Sequence, residues 1–165
     1  MTQSPRPLIA GNWKMNGSNV FAADLASCLA GKMSDAGSIG IDMLLCPPAL
    51  HLGVVRTAID DSRITLGGQD CHAADHGAHT GDVSADMLQD AGCAYVIVGH
   101  SERRADHDED DATVRAKASA AQIGGLTPVI CIGETLAERE VGNAVEVVTG
   151  QLRGSVPNGA SAAHL

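Results

Sequence analysis

The segment Ala94-Tyr-Val-Ile-Val-Gly-His-Ser-Glu-Arg-Arg104 changes abruptly from apolar to polar character at Gly99. Its apolar half is too short for a helix and rich in β-branched residues, which reads as a strand. Near-continuous apolarity, without strict alternation, describes a strand covered on both faces, as in parallel sheets. Ser101 stands where a helix N-cap is expected, so the segment passes from strand to helix within a few residues. His100 is left at the carboxyl end of the strand.

The same signature recurs outward in both directions. Leu8-Ile-Ala10, Ile41-Asp-Met-Leu-Leu-Cys46, Ile64-Thr-Leu66 and Pro128-Val-Ile-Cys-Ile132 are further short apolar runs, punctuated by Gly or Pro. Helical patterns lie between them. Ser18 caps a helix with Phe21, Leu25, Cys28 and Leu29 on its inward face, ended near Gly31. A second follows Cys46-Pro-Pro48, with Leu50, Val54 and Ala58 inward. A third begins at Ser84 or Asp86, runs through Met87 and Leu88, and stops near Gly92. A fourth spans Thr113 to Ile123 and ends at Gly124-Gly125. Val141, Val145, Val148 and Leu152 share one helical stripe, and the tail from Gly154 to Ala163 is loop-like in composition.

The order is β then α, five times, with strands roughly 25 to 35 residues apart, the length a βαβ unit requires. An open doubly wound sheet and a (β/α)₈ barrel both fit this order, and periodicity does not separate them.

Composition narrows the function class. The chain has 165 residues, 44% apolar and 19% charged, with only 2% aromatic, so Val, Ile, Leu and Ala must fill one core. No apolar stretch approaches the ~20 residues of a membrane-spanning helix. Met1-Thr-Gln-Ser-Pro-Arg-Pro7 lacks the pattern of an export signal. The five scattered cysteines form no C-x-x-C pair, which fits a reducing cytoplasm better than a disulfide framework. A net charge of −9 argues against binding along a nucleic-acid backbone. The acidic run Asp106-His-Asp-Glu-Asp-Asp111 reads as a solvated helix entrance.

Two positions carry the strongest chemical signal. In Ile9-Ala-Gly-Asn-Trp-Lys-Met-Asn-Gly17, strand geometry puts Asn12 and Lys14 on one side and Trp13 on the other. A lysine at the carboxyl end of a buried strand faces the mouth where α/β proteins place ligands, and its ammonium suits an anionic oxygen. The alternative is a lysine stem lying along the strand end. His100, beside the free N–H groups of a helix start, is a candidate neutral imidazole for proton transfer; a structural histidine is the alternative. Cys71, His72, His76 and His79 in Gly68–Gly81 invite a zinc assignment. Gly77 and Gly81 interrupt any common helix face and no Cys₂His₂ spacing occurs, so the segment reads as a polar interaction loop without metal. Glu134, in Cys131-Ile-Gly-Glu-Thr135, reads as a residue that orients backbone or caps a helix. Neither G-x-G-x-x-G nor G-x-x-x-x-G-K-[ST] occurs, so no dinucleotide or ATP site is implied.

Four blocks then fall into register: Gly11-Asn-Trp-Lys-Met-Asn16, Gly77-Ala-His-Thr-Gly81, Val98-Gly-His-Ser-Glu-Arg-Arg104 and Cys131-Ile-Gly-Glu134. In order and spacing they resemble the triosephosphate isomerases, and the likeness runs from Arg6 to Leu165. The resemblance implies an α/β fold of the (β/α)₈ TIM-barrel class. Residues 1–165 would form one partial domain, truncated to about five βα units of a fold that typically takes about 250 residues. It further implies interconversion of dihydroxyacetone phosphate and glyceraldehyde 3-phosphate in glycolysis and gluconeogenesis. Lys14 would hold the phosphate end and stabilise the enediolate, Asn12 would contact substrate, and His100 would polarise the carbonyl and shuttle protons. Glu102 would support Lys14, and the loop at Thr80 would reach into a second copy in a homodimer. No metal or organic cofactor is implied, and neither nucleic acid nor membrane is a partner.

The family's glutamate base, in an A-Y-E-P-V-W-like stretch after the sixth strand, has no match before Ala163-His-Leu165. The expectation is that the isolated chain is inactive. The alternative is a non-catalytic barrel fragment whose unpaired edges drive self-association or need a complementing carboxyl-terminal part. A different phosphate-binding barrel enzyme would share the architecture but not these blocks.

Overall fold

The computed structural model describes residues 6–35 and 40–160. The stretch Met1–Pro5 and the closing Ala163-His-Leu165 lie outside the described residues.

All five apolar runs are strands: β1 Leu8–Asn12, β2 Asp42–Cys46, β3 Ile64–Gly68, β4 Tyr95–Val98 and β5 Thr127–Ile130. Every pairing is parallel, from Leu8 against Asp42 at one side to Val98 against Ile130 at the other. The order is β1-β2-β3-β4-β5. A doubly wound sheet reverses direction at a switch point. Here each strand lies beside its predecessor without reversal, which is the winding of a barrel, and the five strands form part of one.

The two faces of the sheet are covered differently. Leu45, Leu66, Val96 and Val98 pack outward against the helices, with Ala22, Val55, Leu88, Val114 and Ala118. Leu44, Cys46 and Ile97 point to the concave side with Tyr95, Val129 and Cys131. Strand alternation thus sorts Leu44 from Leu45 and Ile97 from Val98. Among the described residues β1 and β5 are each paired on one side only, and Ile9 on β1 is 52% exposed. All five cysteines are free. Burial pushes the Cys46 and Cys71 thiols up to about 12 and Cys93 up to about 11, so these three remain protonated apolar packing groups.

The helices are α1 Asn19–Asp35, α2 Leu52–Ile59, α3 Ala85–Asp90, α4 Ser101–Asp106, α5 Asp111–Ile123, α6 Leu136–Glu140 and α7 Ala144–Ser155. Ser18 accepts from the Phe21 N–H, and Ser84 and Asp110 cap α3 and α5 through their side chains. Several inward faces differ from those read in the sequence. Helix α1 buries Ala22, Ala26 and Met33, while Phe21 and Cys28 are exposed; it also continues past Gly31. Phe21 turns aside to meet Trp13 edge-on, ring centroids 5.9 Å apart. A 3₁₀ turn at Ala49–His51 shifts the register of α2, so Leu52, Val55 and Ile59 face inward and Leu50 is 90% exposed. The late valine stripe is broken between α6 and α7, with Val141 and Val145 exposed. Gly154 and Ser155 close α7 and are not part of a loop.

The acidic run is also not uniformly solvated. Glu109 is buried and accepts from Arg103 Nε at 2.5 Å and Lys117 Nζ at 2.6 Å. Lys117, likewise buried, donates to both oxygens of Asp70 at 2.9 and 2.7 Å, and Arg103 lies 3.0 Å from Asp70 Oδ2. Two cations and two anions thereby close a neutral quartet behind the ends of β3 and β4.

Candidate active site

The β1 strand ends at Asn12, and the chain then turns sharply. Lys14 has φ +54°, a left-handed conformation that costs a non-glycine residue on the order of 1–2 kcal/mol. Two side chains hold it there. Asn12 Oδ1 accepts from the Lys14 N–H at 2.9 Å, and Gln69 Nε2 donates to the Lys14 carbonyl at 2.8 Å. The same Gln69 nitrogen donates to the Cys46 carbonyl at 2.8 Å, tying the ends of β1, β2 and β3 together. Strain held by several independent contacts is characteristic of functional sites.

From this turn the lysine reaches across to α4, where Nζ meets Glu102 Oε1 at 2.6 Å. The hydrogen bond from Lys14 holds the Glu102 carboxyl below its ordinary range, so the partner stays anionic.

His100 follows Gly99, whose φ is +68°. A Cβ at Gly99 would stand 2.7 Å from Val114 Cγ1, so only glycine lets the chain swing from β4 into α4. His100 itself, not Ser101, is the N-cap: its Nδ1 accepts from the Glu102 N–H at 3.2 Å. An accepting Nδ1 carries no proton, which leaves a neutral ring with its proton on Nε2. Glu102 Oε2 lies 3.5 Å from the same nitrogen, beyond the backbone N–H contact, while Lys14 bonds the other oxygen, Oε1.

Asn12, Lys14, Gln69, Asp70, His100 and Glu102 line one cavity of about 530 Å³ at the carboxyl ends of the strands. The structure therefore brings together four of the five sequence-predicted residues. Thr80 does not line this cavity; it is exposed in the loop between β3 and α3. Gln69 is not among the sequence-predicted residues, although it stands directly after β3, much as His100 stands two residues after β4.

A profile of the triosephosphate isomerase family matches residues 7–164. The chain belongs to that family. It is 56% identical over 162 residues to the triosephosphate isomerase of Afipia carboxidovorans, covering 97% of this chain and 63% of that protein. With the triosephosphate isomerase of Ruegeria sp. TM1040 it shares 57% identity over 157 residues, covering 95% and 61%. The crystal structure of triosephosphate isomerase from Bartonella henselae superposes with a TM-score of 0.90 at 46% identity, over 96% of this chain and 65% of that one. The chain thus spans somewhat less than two thirds of the length of these triosephosphate isomerases. No helix among the described residues is long and apolar enough to cross a membrane.

Outside the cavity, Glu134 accepts from Arg139 Nε at 2.7 Å and does not cap α6. Thr135 caps α6 in a capping box with Glu138. In the loop before α3, His72, His79 and Asp82 each place one potential ligand atom within 4.8 Å of the others. Asp82 completes the cluster in place of Cys71 and His76, and His76 pairs with Asp75 instead. The His72 and His79 rings stack with centroids 3.9 Å apart, and His72 Nδ1 already accepts from the Ala74 N–H at 2.9 Å. For His72 Nε2 to bind a metal, its proton would have to move to Nδ1 and break that bond.

Proposed function

We propose that this site interconverts dihydroxyacetone phosphate and glyceraldehyde 3-phosphate as a triosephosphate isomerase. The observation that carries the reading is the convergence of the Lys14 ammonium and an imidazole protonated on Nε2 at one cavity. A base removes the proton from the carbon beside the carbonyl. The C–H electron pair forms the carbon–carbon double bond, and the carbonyl π electrons move onto oxygen. His100 Nε2–H donates to that oxygen and then passes a proton between the two neighbouring oxygens. Lys14 offsets the negative charge that develops there and that of the phosphate, with Asn12 beside it.

The abstracting base is assigned to a carboxylate outside these 165 residues. Of the three carboxylates that line the cavity, Glu102 is committed to Lys14 and Asp70 to Lys117 and Arg103, and Asp106 is exposed at the end of α4. The chain alone is then inactive, and a polypeptide of the relatives' length is active. The exposed Ile9 and the one-sided pairing of β1 and β5 favour a complementing segment over a free fragment. The loop at Thr80 is assigned to a homodimer contact, and five free thiols support a cytoplasmic setting. A coupled isomerase assay is the test. Turnover by the longer polypeptide and none by residues 1–165 is expected; a longer polypeptide without turnover overturns the assignment.

A further inference from the structure

We propose that Ser155, at the carboxyl end of α7, is a positioning residue for His100, acting through Arg104. Its kinetic consequence rests on the isomerase reading above; its structural consequence does not.

The Arg104 guanidinium is mostly buried and makes four contacts. Nε donates to the Gly99 carbonyl at 2.9 Å and Nη1 to Asp111 Oδ1 at 2.7 Å. Nη2 donates to the Cys131 carbonyl at 3.3 Å and to Ser155 Oγ at 2.9 Å. One planar fork thus clamps the end of β4, the residue after β5, the start of α5 and the end of α7. The Gly99 carbonyl belongs to the peptide that joins Gly99 to His100. Glycine imposes little torsional restraint on that peptide, so the arginine supplies it. The backbone of His100 (φ −54°, ψ 144°) then directs the ring to the position where Nδ1 meets the Glu102 N–H.

Ser155 completes the clamp. It is fully buried, accepts from Arg104, and donates to Asp111 Oδ1 at 2.9 Å. Its hydroxyl therefore fixes the carboxylate and the guanidinium relative to each other. Gly154 makes the approach possible, because a Cβ there would lie 2.5 Å from Asp111 Cβ. Docking of α7 does not itself depend on the hydroxyl. Arg115 Nε donates to the Gly154 carbonyl at 2.7 Å, and its Nη2 bonds the Arg153 carbonyl.

The test is Ser155→Ala, read first by ¹⁵N imidazole spectra of His100, which report the tautomer directly. The longer polypeptide without the substitution should give one Nε2-protonated species. Ser155→Ala should fold and show mixed or exchange-broadened ring signals, and Ser155→Thr, which keeps the hydroxyl, should return toward the original spectrum. In the longer polypeptide, Ser155→Ala should lower kcat by about tenfold with little change in KM, the signature of a misoriented group. An unchanged His100 spectrum in Ser155→Ala, equal perturbation in Ser155→Thr, or failure of Ser155→Ala to fold would each overturn the proposal. A longer polypeptide without turnover before any substitution would contradict the isomerase reading instead, and the ring spectra would still decide this one.

Discussion

Lys117→Met is expected to cost about 3–5 kcal/mol of stability, read as a lowered urea midpoint at unchanged slope. Asp70 and Glu109 would share only Arg103, and Glu109 Oε2 already has no hydrogen-bond partner among the described residues. A buried carboxylate stripped of its cation carries its full desolvation penalty. Such a loss is a large fraction of the roughly 5–15 kcal/mol that holds a typical domain together. Adding Asp70→Asn, which removes the surplus negative charge, should restore part of the loss. A midpoint unchanged in Lys117→Met would show that the quartet is not coupled as described.

The quartet also sets an acid limit. Burial raises the Glu109 carboxyl, but Lys117 and Arg103 outweigh it and hold the group below its ordinary value of 4.5. Its contribution to stability is present above that value and lost as pH falls through the depressed one. Asp70 runs the other way, since burial outweighs its cations and raises it above 3.8. Its contribution is present below 3.8 and lost as pH rises through the raised value.

His100→Gln is expected to lower kcat of the longer polypeptide by about 10²–10⁴ with KM little changed. Glutamine retains an N–H donor but cannot release and recover a proton near neutral pH, so the variant separates polarisation from proton transfer. Retention of most of the activity would assign the imidazole a binding role only.

The strands were legible because apolar runs bounded by Gly and Pro are local signals. Their order was not, because pairing is a long-range property that periodicity does not encode. Helix faces were misread where small residues did the packing: Ala22 and Ala26 carry less apolar signal than Phe21, yet they are fully buried in the core. Lys14 and His100 were visible from their places at strand ends. The left-handed turn at Lys14 was not, since it exists only because Asn12 and Gln69 hold it. Glu109 looked like one more exposed acid because its partner Lys117 comes from the next turns of α5 and Arg103 from α4.

Titration with a phosphate-bearing enediolate mimic, followed at the Lys14 Nζ and the His100 ring by ¹⁵N NMR, probes the site most directly. Both groups should shift together along one binding curve, with His100 remaining protonated on Nε2 and unprotonated on Nδ1. A curve seen at only one of them, or an imidazolium form of His100 in the complex, would contradict the account.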